Sequence, residues 1–211
     1  MSVQNHFSIR FLGPEVKDRL KQTFEEVEGK LGIDGLAAAL FTVVMELVTN
    51  AVKANLKRAF FNENGYSMSD PESYQAGVAA FKENYREVEG EAYGRALTDL
   101  DLVVSVNIDL DNDRLLTFVE NNTLLQDEEE TRIRGKLASA MSAKQLVEFY
   151  LHFGDESEGS GLGLAMIVFL MREIGFDPDN FRVYQQNGKT IARIEFPLNK
   201  DYVPIRKRFN T

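Results

Sequence analysis

The stretch Leu36-Ala-Ala-Ala-Leu-Phe-Thr-Val-Val-Met-Glu46-Leu-Val-Thr-Asn50-Ala-Val-Lys53 decides how the rest of the chain is read. Leu40, Val44, Leu47, Val48 and Ala51 recur at helical spacing and make a face wide enough to pack on a sheet. Glu46, Asn50 and Lys53 lie at i, i+4 and i+7 and share a second stripe. The pattern predicts a helix capped by Asp34 and running from residue 36 to about residue 60. A carboxylate, an amide and an ammonium on one stripe suit nucleotide chemistry. The carboxylate can orient or deprotonate an attacking group, the amide oxygen can ligate Mg²⁺, and the ammonium can meet a phosphate. Taken alone, such a stripe is more often the solvated side of an amphipathic helix.

Working outward, residues 7–12 alternate apolar and polar and predict a half-buried strand. Gly13-Pro14 ends it and opens a helix over residues 15–30, with Val16, Leu20, Phe24 and Val27 on one side. Residues 102–110 and 115–119 are β-rich runs around Asp111-Asn-Asp113, a hairpin with an Asx-type turn. Residues 181–184 and 190–196 predict closing strands around Asn187-Gly188. Between these elements, residues 62–100 start with turn residues and become charged and helical over 74–89, which reads as an insertion. Residues 123–158, with the acidic run 127–130, show no strand pattern and are expected to form a flexible acidic loop. The economical organisation is one domain over residues 1–198, with 199–211 as a basic surface extension.

A second segment, Glu158-Gly159-Ser-Gly161-Leu162-Gly163-Leu164, precedes an apolar helical run. Its glycines let backbone N–H groups approach an anion, and the start of the helix adds its positive dipole end. It lacks the Gly-Lys-Ser/Thr ending of a P-loop and does not follow a strand, as a dinucleotide fingerprint would. Alone it divides evenly between a phosphate cradle and an ordinary helix-start turn.

Composition narrows the field. The 211 residues carry 24 Lys+Arg against 33 Asp+Glu, a net charge of −9, which argues against a nucleic-acid binder. With no cysteine, disulfides, thiolate nucleophiles and Cys-ligated metals are excluded, and two histidines, His6 and His152, cannot build a multi-His centre. The longest apolar runs, 36–45 and 161–171, fall short of the ~18–20 residues of a membrane span, and residues 1–9 do not read as a signal peptide. The expectation is a soluble, cytoplasmic protein without a membrane span.

The two segments, in this order, resemble motifs of the GHKL ATPase superfamily, which joins gyrase, heat-shock chaperone, histidine kinase and mismatch-repair ATPases. Glu46-Leu-Val-Thr-Asn50-Ala-Val-Lys53 is similar to its N box, and Gly159-Ser-Gly161-Leu162-Gly163-Leu-Ala165 to its G2 box. Phe149-Tyr150 and Phe153 stand where histidine kinases carry lid aromatics, and Gly188-Lys-Thr190 is similar to the final Gly-Thr strand. The family's G1 box, Asp-x-Gly-x-Gly, falls on Val119-Glu-Asn121-Asn-Thr123, where Asn121 replaces the adenine-binding Asp and Thr123 the first glycine.

The resemblance covers roughly residues 7–198 and implies the Bergerat fold. That fold is α+β, a two-layer α/β sandwich whose mixed sheet has helices on one face, with nucleotide held between the N-box helix and a lid over residues 123–158. It implies ATP and Mg²⁺, with Asn50 on the metal, Lys53 near phosphate, and Glu46 as the catalytic carboxylate. Gly159, Gly161, Leu162 and Gly163 would surround the phosphates, with Asn121, Thr123 and Thr190 completing the nucleotide site. Its implied function is a histidine-kinase-like ATPase or protein kinase of bacterial signalling, including the anti-sigma-factor type, acting on a protein partner and compatible with a homodimer. The alternative is a catalytically degenerate regulatory module that binds a protein. Asn121 and Thr123 favour it, because an amide presents either its oxygen or its NH₂ and relaxes the demand for adenine.

Overall fold

The computed structural model describes residues 2–88, 93–153 and 162–208. Strand β1 (Val3–Ile9) buries Val3, Phe7 and Ile9, and Pro14 opens helix α1 (Pro14–Leu31). The strand lies earlier than predicted because the chain bends after Ile9, where Phe11 and Leu12 leave the sheet yet still pack against the core. Gly32, at φ 65°, closes α1, a left-handed turn that favours glycine. Helix α2 (Leu36–Asn64) begins at Gly35 rather than Asp34, without a side-chain cap of its own. Its first turn is served instead by Glu28 of α1, whose Oε2 accepts from the Ala37 N–H at 2.7 Å.

The remaining strands are β2 (Val104–Leu110), β3 (Arg114–Asn121), β4 (Phe181–Gln186) and β5 (Lys189–Pro197). They form one sheet of order β1-β2-β3-β5-β4. The α+β two-layer class is as expected from the sequence, but all four pairings are antiparallel, so the sheet is not mixed. Short hairpins enforce this at two pairings. Asp111 Oδ1 accepts from the Asp113 and Arg114 N–H groups in one turn, and Asn187 and Gly188 hold positive φ in the other.

Register puts Val104, Val106, Ile108 and Leu110 on the same face as Leu115, Val119, Ala192, Ile194 and Phe196, all buried. On this face lie α2 and helix α8 (Leu162–Glu173), with α1 packed beside α2. Opposite, β1 and β2 present Gln4, His6, Asn107 and Asp109, while the end of the chain folds onto β5. There Glu195 is fully buried and accepts from Tyr202 Oη (2.6 Å) and the Ile205 N–H (3.0 Å). The stretch after residue 198, read as a surface extension, is therefore pinned by a buried carboxylate and ends in helix α9 (Ile205–Arg208).

Residues 62–100 fold as α3 (Pro71–Glu83), α4 (Tyr85–Val88) and α5 (Gly94–Asp99), burying Tyr74, Phe81 and Leu97 against the far end of α2. Residues 123–158 correct the expectation of a flexible loop, since they contain α6 (Asp127–Ser142) and α7 (Leu146–Phe153). The acidic run is the first turn of α6, where carboxylates meet the positive end of the helix, and Gln126 and Glu129 form a reciprocal cap. At the other end of α6, Arg172 of α8 donates to the Met141 carbonyl at 2.7 Å and the Ala143 carbonyl at 2.8 Å. Phe149 is buried with Ala140, Ala165 and Val168 in a small second core, so it packs α7 against α6 and α8.

Among the described residues α2 is long and apolar enough to cross a membrane by length and composition, which a search for uninterrupted apolar runs does not register. Its apolar side chains from Leu40 to Phe61 belong to the core described above.

Gly77 of α3 lies against Phe61 of α2, and a Cβ built on it would meet the ring at 2.6–2.9 Å. Alanine ordinarily favours a helix over glycine, but here the overlap decides the sign. Gly77→Ala should destabilise by about 1–3 kcal/mol in urea unfolding. The same change in a Phe61→Leu background should cost much less; equal costs in both backgrounds would show that the ring is not the obstacle.

Candidate functional site

Two stretches far apart in sequence meet where α2 passes the start of α8. Glu46 is half-buried, and its Oε1 accepts from Asn50 Nδ2 at 2.8 Å. A Cβ built on Gly163 would fall inside the Glu46 carboxylate group, with Cγ only 2.7 Å away. The absence of a side chain at 163 therefore lets the first turn of α8 lie directly on the carboxylate. Leu162 opens α8, while Gly159 and Gly161 lie outside the described residues, as do the side chains of Leu162, Tyr150, His152 and Phe153.

A second convergence lies at the end of β3. Asn121 is 5% exposed and stands opposite Thr190 in the sheet register. Its Nδ2 donates to the Ala51 carbonyl of α2 at 3.3 Å. A carbonyl can only accept, which fixes the amide with its NH₂ toward α2. Oδ1 is buried and has no protein partner among the described residues. Thr190 Oγ1 donates to the Thr123 carbonyl at 2.7 Å, tying the chain leaving β3 to β5. Asn55 Oδ1, one turn beyond Ala51, and Thr123 Oγ1 are also buried without a protein partner among the described residues.

Lys53 is not brought to Glu46 and Asn50. Its Nζ lies over the Tyr85 ring of α4, 4.4 Å from the centroid, so the insertion holds it. Residues missed in the sequence lie further along the stripe, for Lys57 follows Glu46, Asn50 and Lys53 at helical spacing. Lys57 pairs with Glu129 of α6 and lies 3.2 Å from Tyr74 Oη, while Arg58 reaches Glu129 at 3.6 Å and donates to the Leu124 carbonyl. The side chains of Lys57, Arg58 and Glu129 are 13%, 12% and 11% exposed, so the charges are largely desolvated. The signal that could have found them is the acidic helix start after residue 126, which needs a cationic seat once it is buried.

Burial alone would raise the Glu129 carboxyl, but the Lys57 charge, hydrogen bonds from Lys57 and the Gln126 N–H, and Arg58 outweigh it and hold the group low. Burial lowers the Lys57 ammonium against the pull of Glu129. Burial, then the Glu129 charge, pushes Tyr74 up to about 12.

Among the described residues there is no group of three or more His, Asp or Glu side chains that could cage a metal. Glu46 and Asn50 do suit Mg²⁺, a hard ion that takes one or two protein oxygens and completes its shell with phosphate and water. Asn50 spends its NH₂ on Glu46, and its carbonyl oxygen remains as a ligand atom.

No protein-family model matches the chain. Over 156 residues, 74% of the chain, it is 33% identical to an uncharacterized protein of Treponema pallidum (strain Nichols). The match covers 30% of that relative's length, so the chain spans about a third of the curated protein it resembles.

The Glu129 cluster makes stability pH-dependent with a definite sign. A carboxyl held below its unfolded value contributes stability above about pH 4.3, and that contribution drains as pH falls through the folded-state value. Glu129→Gln should cost about 3–5 kcal/mol at neutral pH by stranding two buried cations. In urea unfolding across a pH series, the gap between wild type and variant should narrow progressively as pH falls below about 4.3. A gap that persists undiminished at pH 3 would mean that the carboxylate is not the partner of Lys57.

Proposed function

We propose that the cleft between α2, the exit of β3 and the start of α8 binds Mg·ATP, and that the chain is a GHKL-type, histidine-kinase-like domain. In this reading it works in the cytoplasm in bacterial signal transduction, hydrolysing ATP or passing its phosphate to a partner protein. The observation that carries the proposal is the seating of Gly163 on Glu46, which joins the N-box-like and G2-box-like segments as one ligand would need. The N-terminal turn of α8 would offer phosphate the N–H groups that its own helical ladder leaves unpaired and a positive dipole end. Asn50 and Glu46 would hold Mg²⁺, whose chemistry there is to neutralise phosphate charge. Glu46, kept in place by Asn50, is positioned to orient an attacking group.

Asn121 refines the choice of base. Because Ala51 takes its NH₂, the amide offers the pocket an acceptor, as a carboxylate would, and selects a base that presents an amino group. A neutral acceptor in place of a charged one weakens the bond by about 1 kcal/mol, or roughly fivefold in affinity. The looser selectivity expected from an unoriented amide gives way to weaker, still adenine-directed binding. A second reading, a regulatory module with little ATP use, draws on Lys53, which is engaged by Tyr85 rather than turned to the cleft.

Calorimetry with Mg·ATP and Mg·GTP tests the proposal. The wild type should bind ATP with micromolar to millimolar affinity and prefer it to GTP. Asn50→Ala should remove the Mg²⁺ dependence, and Asn121→Ala should erase the preference with the fold retained. No saturable binding of either nucleotide would leave the regulatory reading standing. Equal binding of ATP and GTP by the wild type would place Asn121 outside the base site.

A further inference from the structure

A cavity of about 310 Å³ lies away from the cleft, between the end of α2 and the helices of the insertion. Phe60, Tyr66 and Tyr93 wall it, and Ala80, Val88, Asn64 and Asn84 complete the described lining. The Phe60 and Tyr66 rings stack at 6.0 Å with an interplanar angle of 14°, and Tyr93 tilts against Phe60 at 6.1 Å. Among the described residues none that lines the cavity carries a charge.

The two amides are oriented by their own helices. Asn64 Nδ2 donates to the Phe60 carbonyl at 2.9 Å, and Asn84 Nδ2 to the Ala80 carbonyl at 2.8 Å. Each spends donor capacity one turn back along its helix and keeps its carbonyl oxygen as an acceptor at the exposed mouth. The volume is at the small end of the range for ligand pockets, enough for one or two fused rings. Aromatic walls favour a flat π-system, and paired acceptors ask for N–H donors.

We propose that this cavity is a binding site for a small, planar heteroaromatic molecule bearing an N–H donor. The site is separate from the nucleotide cleft. Tyr85 of α4 stands over Lys53, whereas Asn84 and Val88, at either end of α4, face the cavity. It therefore stands or falls independently of the proposed ATP site, and its test contains no nucleotide.

Indole and benzofuran are the probes, since they share a shape and differ in the ring N–H. Calorimetry on the full chain should show saturable, one-to-one binding of indole, with benzofuran about three- to tenfold weaker for want of one hydrogen bond. Ala80→Phe, which fills the cavity, should abolish both. Because that change also adds a bulky ring to α3, the exposed pair Asn64→Ala with Asn84→Ala gives an independent reading. It should still bind both probes but lose the preference for indole. Absence of saturable indole binding to the wild type overturns the proposal. So does indole binding that survives Ala80→Phe in a folded protein, or benzofuran binding as tightly as indole.

Discussion

The packing of α2 on the inward face of the sheet is the constraint from which the rest follows. A 29-residue helix is about 44 Å long, whereas five strands at their usual spacing are only about 19 Å across and the strands themselves about 24–31 Å long. The helix must overhang, and its overhang carries Phe60 and Phe61, which cannot be left in water. Residues 62–100 answer this by turning back at Gly65 and covering those rings with Tyr66, Tyr74, Phe81 and Tyr93. The insertion is thus a structural consequence of helix length before it is a surface for anything else. It also explains why Lys53 and Lys57, which would otherwise project freely, meet the rings of Tyr85 and Tyr74.

The same helix fixes the position of α6. Lys57 and Arg58 face the chain as it leaves β3, so the first turn of α6 is drawn onto them through Glu129, while Arg172 collects the carbonyls at the other end of α6. A helix tethered by charge at both ends is not a loop that samples open and closed positions freely. Between these tethers α6 and α7 rest on α8 through Ala140, Phe149, Ala165 and Val168. Any movement of the first turn of α6 away from α2 must break a desolvated ion pair. An isolated break of that kind costs several kcal/mol, a large fraction of the stability of an ordinary domain.

Much of this was legible in the sequence where local rules act alone. The hairpins at Asp111 and Asn187-Gly188, the start of α1 at Pro14 and the apolar face of α2 all declared themselves through turn chemistry or period. Two kinds of feature did not. The cap of α2 is Glu28, supplied by another helix, so no reading of residues 34–36 could find it. The acidic run 127–130 looked like solvated loop because four carboxylates in a row repel one another. That repulsion is offset only once the helix dipole and two cations from a distant segment are in place. In the candidate site, the stripe of Glu46 and Asn50 could be read from spacing, while the orientation of Asn121 could not, because it depends on the Ala51 carbonyl across the layer.

That orientation bears on why the seam between α2 and β3 is built as it is. The inward face of the sheet is mostly aliphatic and aromatic, with an unpartnered hydroxyl at Thr117 in mid-strand, and at its end Asn121, Thr123 and the facing Asn55 of α2 each bury a polar atom that meets no protein partner among the described residues. A buried polar atom left unmatched costs about 1–3 kcal/mol, so three of them weigh as much as a sizeable part of a domain's net stability. Alanine, valine or leucine at these positions would remove the cost and continue the pattern of Val48, Val52 and Val119 around them. A chain under selection for stability alone would drift that way. Retaining two amides and a hydroxyl there, one of them aimed by a deliberate hydrogen bond to α2, makes sense where a polar, edge-on ligand enters the seam and meets them. The unmatched amides of Asn55 and Asn121 thus lie along the helix that also carries Glu46 onto Gly163, where nucleotide binding is proposed.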